Sequence, residues 1–173
     1  AIQSIAENYG SEFSYSMELF PTLNGNGCTK DHMMSLEKII EIERKIPGKK
    51  DEYRQLSELP NPFYDRKDIP LYLCDMAISN FLVDYQGYLN PCHKCRIKKS
   101  NLLVDDFKTA WDDYQSLLKE KASVDNKCLK CQYLMMCSPC VIVNYLATGN
   151  YNIPADSVCR LTHLRVAMCD SLE

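Results

Sequence analysis

The chain has 173 residues, 46% of them hydrophobic, and a net charge of −3. That suits one domain, or a domain with a small module, and an ordinary core. Its basic residues are scattered, which leaves no electrostatic footprint for nucleic acid, and no apolar run approaches the roughly 18 residues of a membrane span. No signal peptide is visible, so the expected location is cytoplasmic. Ten cysteines without a secretory signal favour metal over a disulfide framework. Plentiful Met, Lys and Glu and long helical patterns also argue against a small stapled secreted domain.

In chain order, residues 1–9 read as the end of a helix stopped by Gly10. The opening lies inside a helical pattern (Ile2, Ile5, Ala6) with no capping residue before it, and the chain closes on Leu172-Glu173, a common cloning scar. Both suggest that an N-terminal portion is missing. Residues 11–20 alternate apolar and polar, which predicts a strand with Phe13, Tyr15, Met17 and Leu19 on one side. Pro21 and the run Asn24-Gly25-Asn26-Gly27 end it as a loop. Asp31 is a candidate N-cap for a helix over 32–46, with Leu36, Ile39, Ile40 and Glu43 along one face and Pro47-Gly48 at its end. A short helix is expected over Asp51–Glu58. Pro60, Pro62 and Pro70 then punctuate an irregular stretch, where a domain boundary is placed near residue 68.

Beyond it, Phe81–Tyr85 and Tyr88-Leu89 flank Gln86-Gly87 and read as a two-stranded hairpin. The stretch Lys94, Arg96, Lys98, Lys99 reads as a solvated loop. A long helix is predicted from Asp105 to Ala122 on the spacing of Phe107, Ala110, Trp111, Tyr114, Leu117 and Leu118, all read as core. Asp105, Asp106, Asp112 and Asp113 belong to its start and wet face and are not assigned acid–base work. A last helix is expected over Cys140–Thr148, ending at Gly149, with a loop to Cys159.

The chemistry lies in the cysteines. Cys128-x2-Cys131-x5-Cys137-x2-Cys140 places four thiols within thirteen residues, and Cys92-x2-Cys95 adds another pair. A CxxC turn can direct both sulfurs to one metal. With Cys74 and Cys159 the count reaches eight thiols, enough for two four-cysteine sites. Thiolates select zinc or iron–sulfur clusters, and spacing alone does not choose between them. Cys28, in its Gly/Asn loop, and Cys169 are read as spectators. His93, between two candidate ligands, is read as facing solvent, and His32 and His163 as helix-surface residues.

The order of these residues carries more. Cys74-x12-Gly87-x4-Cys92, a gap, then Cys128-x2-Cys131-x5-Cys137-x2-Cys140, a gap and Cys159 resembles the SPASM domain, the C-terminal extension of many radical S-adenosylmethionine enzymes. The turn from Asp84 to Pro91-Cys92 and the Ala147-Thr148-Gly149 stretch before Cys159 are similar to that family as well. One departure is the two-residue spacing between Cys137 and Cys140, where the family has three, with Ser138-Pro139 in place of a glycine-rich pair.

The resemblance implies an α+β chain in which residues 1–68 are the last α/β unit of the radical SAM partial barrel and its bridge, and residues 69–170 are the SPASM domain. It implies two auxiliary 4Fe–4S clusters. Cys128, Cys131, Cys137 and Cys159 would hold one. Cys74, Cys92 and Cys140 would hold the other, with Cys95 completing it or leaving an open iron. S-adenosylmethionine and a third cluster would belong to the missing N-terminal part, because no CxxxCxxC occurs in these residues. No catalytic residue is therefore assigned here, and no P-loop, GxGxxG or GxSxG is present. The implied work is support of an oxidoreductase that modifies a peptide or protein substrate, through electron transfer and substrate placement. Two other readings compete: a non-catalytic zinc-binding protein-interaction module and a small ferredoxin-like electron carrier.

Overall fold

The computed structural model describes residues 2–13, 15–23, 29–96 and 99–170. Cys28, the Asn24–Gly27 loop, Lys98 and the Leu172-Glu173 end lie outside the described residues. The architecture is mixed α and β. Helices α1 (Ile2–Asn8), α2 (Leu36–Glu43) and α3 (Lys49–Glu58) precede strands β1 (Leu82–Val83), β2 (Tyr88–Asn90) and β3 (Ser100–Asn101). Helices α4 (Phe107–Tyr114), α5 (Leu134–Cys137), α6 (Val141–Thr148) and α7 (Asp156–Asp170) follow. Among the described residues no helix is long and apolar enough to cross a membrane.

The sheet is antiparallel in the order β1-β2-β3, with Leu82 opposite Asn90 and Leu89 opposite Ser100. Its first turn follows from local chemistry. Asp84 Oδ1 accepts from the Gln86 and Tyr88 amides at 3.0 Å each, an Asx turn. Gly87 then takes φ 86°, and a Cβ there would stand 2.7 Å from Asn101 Oδ1 and 2.8 Å from Leu103 Cγ. Both the backbone angle and the close approach therefore require glycine. Helix α4 closes over the sheet through buried Ala110 and Tyr114, whose hydroxyl donates to the Leu89 carbonyl at 2.7 Å.

Three apolar clusters result. Ile39 and Ile40 of α2, Tyr53 of α3, Met136 of α5 and Leu161, Met168 and Cys169 of α7 form the first. Leu71, Tyr72, Met76, Cys95 and Ile142 form the second. Ala77, Leu89, Ala110 and Tyr114 form the third. Cys169 is thus a packing residue, with its Sγ 3.6 Å from the Lys50 carbonyl oxygen.

Several expectations need correction. Residues 11–20 form no strand, because no neighbouring strand offers a ladder. Phe13, Tyr15 and Leu19 are exposed, while Met17, Glu18 and Phe20 turn inward. Phe20 lies under the Lys94 ammonium, 4.0 Å from the ring centroid. The cap of α2 is Ser35, whose Oγ accepts from the Lys38 amide at 3.2 Å, and Asp31 sits in a separate 3-10 turn. The expected helix over 105–122 ends at Tyr114 and tightens into a 3-10 turn over Gln115–Lys119. That turn frees the chain to pair with the segment before Cys74, since the Leu71 amide donates to the Glu120 carbonyl and the Ala122 amide to that of Ile69. Phe107 is exposed rather than core, at the edge of an aromatic group with Phe81 and Trp111. The expected loop after Gly149 runs over residues 150–155 and ends sooner than expected, because α7, the longest described helix, begins at Asp156 and packs on α2, α3 and α5.

One charged group joins these helices. Arg165 of α7 donates from Nε to Glu43 Oε2 at 3.0 Å and from Nη2 to Glu43 Oε1 at 2.6 Å and Glu18 Oε1 at 2.9 Å. Tyr53 Oη donates to Glu43 Oε1 at 2.9 Å. Glu43 is 2% exposed, so its carboxylate depends on these partners. Arg165→Met leaves that charge buried and unpaired, and we expect a loss of about 3–5 kcal/mol in denaturant unfolding. Adding Glu43→Gln, which keeps an acceptor for Tyr53, should recover most of it.

Candidate metal centres

Each cysteine segment is shaped by its own short-range bonds. Asn126 caps the 3-10 turn Lys127–Lys130 by accepting from the Cys128 amide at 3.0 Å, and the Cys131 amide bonds back to the Cys128 carbonyl at 3.1 Å. Helix α5 ends on Cys137. Ser138 then adopts the left-handed region at φ 44°, ψ 60°, Pro139 follows, and Cys140 is the N-cap residue of α6. Cys159 lies in the first turn of α7.

This folding sorts the thiols into two groups. Cys128, Cys131, Cys137 and Cys159 line a cavity of about 210 Å³ whose wall also includes Val158, Thr162 and Asn144. Cys74, Cys92 and Cys140 line a second, of about 440 Å³, with His93, Lys94 and Asp75. Pro139 borders both cavities, so the Ser138-Pro139 turn is the partition between them. Cys95 is not on the second cavity's wall. It is 6% exposed and packed in the apolar cluster that also holds Cys92 and Cys140. His93 and His163 are exposed at the two rims, and His32 is exposed elsewhere.

The nine described cysteines are free thiols, and for Cys92, Cys95, Cys128, Cys137, Cys159 and Cys169 burial opposes ionisation. Burial, then the neighbouring Cys137, Cys131 and Cys159, push Cys128 up to about 11. Burial raises Cys137 too, with the Thr162 hydroxyl pulling against it. In the other group burial, then Cys92 and Cys140, push Cys95 up to about 12. Burial also raises Cys92, although the Lys94 and Cys95 amides donate to its sulfur. A nucleophilic or disulfide-exchanging thiol needs the opposite shift. These thiols surrender their protons only when a cation takes their place, so cation uptake releases protons and strengthens as pH rises.

Among the described residues no group of three or more His, Cys, Asp and Glu side chains is placed to hold a single metal ion. A tetrahedral zinc site needs four donors within about 2.0–2.3 Å of one point. The four thiols surround a volume instead, one with room for several atoms. A polynuclear thiolate-bound cluster fits that arrangement. Arg96, next to Cys95 in sequence, has a buried Nη1 without a partner, though it is on the wall of neither cavity.

Three asparagines hold the loops and were not singled out from sequence. Asn61 Nδ2 donates to the Leu129 and Cys131 carbonyls at 2.8 and 3.0 Å. Asn126, nearly fully buried, also donates to Asn152 Oδ1 at 3.2 Å. Asn144 accepts from the Ala155 amide at 3.0 Å and donates to the Tyr151 carbonyl at 3.4 Å. Asn126 was legible as a cap just before Lys127-Cys128; Asn61 and Asn144 act across distances that sequence does not reveal. Comparison with known proteins gives no match to a family model, a curated protein or a solved structure.

Two outcomes follow from this geometry. Asn126→Ala should lower metal affinity of the four-thiol centre about 10–100-fold, as loss of an outer partner does, measured by competition with a chelator. Ser138→Gly should stabilise the chain by about 0.5–1 kcal/mol, the left-handed cost of a Cβ less the added freedom of glycine when unfolded. Thermal melts of the metal-free chain would measure it.

Proposed function

We propose that this chain is the C-terminal portion of a radical S-adenosylmethionine enzyme, carrying two auxiliary 4Fe–4S clusters in a SPASM domain. Residues 1–68 would be the end of the partial barrel and its bridge, and residues 69–170 the cluster-bearing domain. The observation that carries this reading is the sorting of thiols across the Ser138-Pro139 turn, with Cys137 on one cavity and Cys140 on the other. The motif order implies that same crossed arrangement.

On this reading Cys128, Cys131, Cys137 and Cys159 hold one cluster, and Cys74, Cys92 and Cys140 hold the other, with Cys95 completing it or leaving an open iron. Bound there, the clusters supply one-electron transfer. The chain's own contribution is to hold the thiols at fixed places, to keep water from the four-thiol cavity with Val158 and Leu134, and to offer amide donors to Cys92 sulfur. S-adenosylmethionine and the third cluster belong to the parent enzyme's other portion, and its substrate is a peptide or protein side chain.

Anaerobic reconstitution tests the proposal. We expect roughly eight irons and as many sulfides per chain, as two four-iron clusters imply, with a paramagnetic signal after dithionite reduction. Cys131→Ser should remove about half of the iron, and Cys92→Ser the other half. A colourless protein holding about two zinc ions per chain, one per four-cysteine site, would overturn it.

A further inference from the structure

Electron tunnelling through protein falls steeply with distance, so a route of contacting rings matters. One feature bridges the second apolar cluster to the surface. Tyr145 of α6 is 45% exposed. Its ring stacks on that of Tyr151, with centroids 4.4 Å apart and planes at 14°. Tyr151 packs against the cluster that contains Cys92, Cys95 and Cys140. The pair therefore runs from solvent to the apolar cluster against which Cys92 and Cys140 also pack, and the wall of the three-thiol cavity includes neither tyrosine.

The loop that carries Tyr151 is held in place. Asn144 receives the Ala155 amide and reaches the Tyr151 carbonyl, and Asn152 Oδ1 accepts from the Ser123 amide at 2.9 Å. A fixed loop keeps the ring overlap constant, which a hopping or tunnelling path requires. Among the described residues the four-thiol cavity has no comparable pair: the ring contact beside it, Tyr133 with His163, is edge-on at 88°.

We propose that the Tyr145–Tyr151 stack is the electron port of the three-thiol centre, through which an external one-electron carrier exchanges electrons with it. This rests on the function proposed above. The carrier loses one electron and the centre gains one. No bond forms or breaks and no proton moves, so the rings matter and the hydroxyls do not.

The test is rapid mixing of the anaerobically loaded chain with reduced flavodoxin, following the bleaching of cluster absorbance. Tyr145→Leu and Tyr151→Leu should slow the phase belonging to the three-thiol centre about tenfold, equivalent to about 1.4 kcal/mol on the barrier. Iron content and midpoint potential should stay at wild-type values, which a merely structural role for the pair would not predict alongside a slowed rate. Tyr145→Phe and Tyr151→Phe should keep the wild-type rate. Unchanged rates in Tyr145→Leu, or equal slowing in the Phe variants, overturn the proposal while leaving the clusters in place. Should Tyr151→Leu lose iron, the half-exposed Tyr145→Leu decides alone. A wild-type chain that takes up no iron overturns the port together with the function on which it rests.

Discussion

The arrangement of this molecule depends on one backbone constraint, the left-handed turn at Ser138. Helix α5 would otherwise carry the chain onward, placing Cys140 almost a turn beyond Cys137 and near the same face. Reversal at Ser138, followed by the fixed φ of Pro139, sends the two thiols to opposite sides of a thin partition. The cost of a Cβ in that region is real, and it is met by packing on both sides. Met136, just before the turn, is buried in the first apolar cluster, and Ile142, just after it, in the second.

Around that turn the structure handles loops by hydrogen bonding rather than by covalent staples. The cysteine-bearing segments have little regular structure, and an unsupported loop would leave backbone groups unsatisfied. Asn61, Asn126 and Asn144 supply both a donor and an acceptor from one short side chain, which lets each tie two segments together. Helix α7 does the corresponding work at larger scale. Its first turn brings Cys159 to the four-thiol cavity, while Leu161, Arg165 and Met168 anchor it to α2 and α3. The geometry of one thiol is thereby fixed by a buried ion pair two turns away.

How far the sequence foretold this depends on the range of the interactions involved. The β1–β2 turn was legible because Asp84 and Gly87 determine it within four residues. The end of α6 was legible because Gly149 caps it at φ 75°. The cavities are lined by Cys128, Cys131, Cys137 and Cys159 and by Cys74, Cys92 and Cys140, a division that only the family resemblance implied and that spacing alone left open. The rest was set by contacts remote in sequence. Residues 11–20 carry a strand's alternation, but a strand exists only with a partner. β3 spans two residues, below any periodic signal. α7 was hidden because its apolar residues are divided between the helices it packs on and the cavity it lines, which blurs a single stripe. Ser35 outcompeted Asp31 as a cap because it directly precedes the first apolar residue of the helix, Leu36.

The two thiol groups also differ in a way that bears on their chemistry. All four cysteines of the smaller cavity are half-buried, whereas the larger cavity is lined by exposed Cys74 and half-buried Cys92 and Cys140. Reduction adds negative charge, and a low-dielectric wall disfavours added charge more than water does. On the proposed reading the four-thiol centre, against its apolar wall, is then the harder of the two to reduce. The three-thiol centre, wet on its cavity side and backed by tyrosines, is the easier acceptor. Electrons arriving from outside would settle first at the centre that the Tyr145–Tyr151 stack reaches. Passage onward would cross the Ser138-Pro139 partition, the shortest covalent link between the two sets of sulfurs. The turn that separates the thiols in space is thus also what connects them.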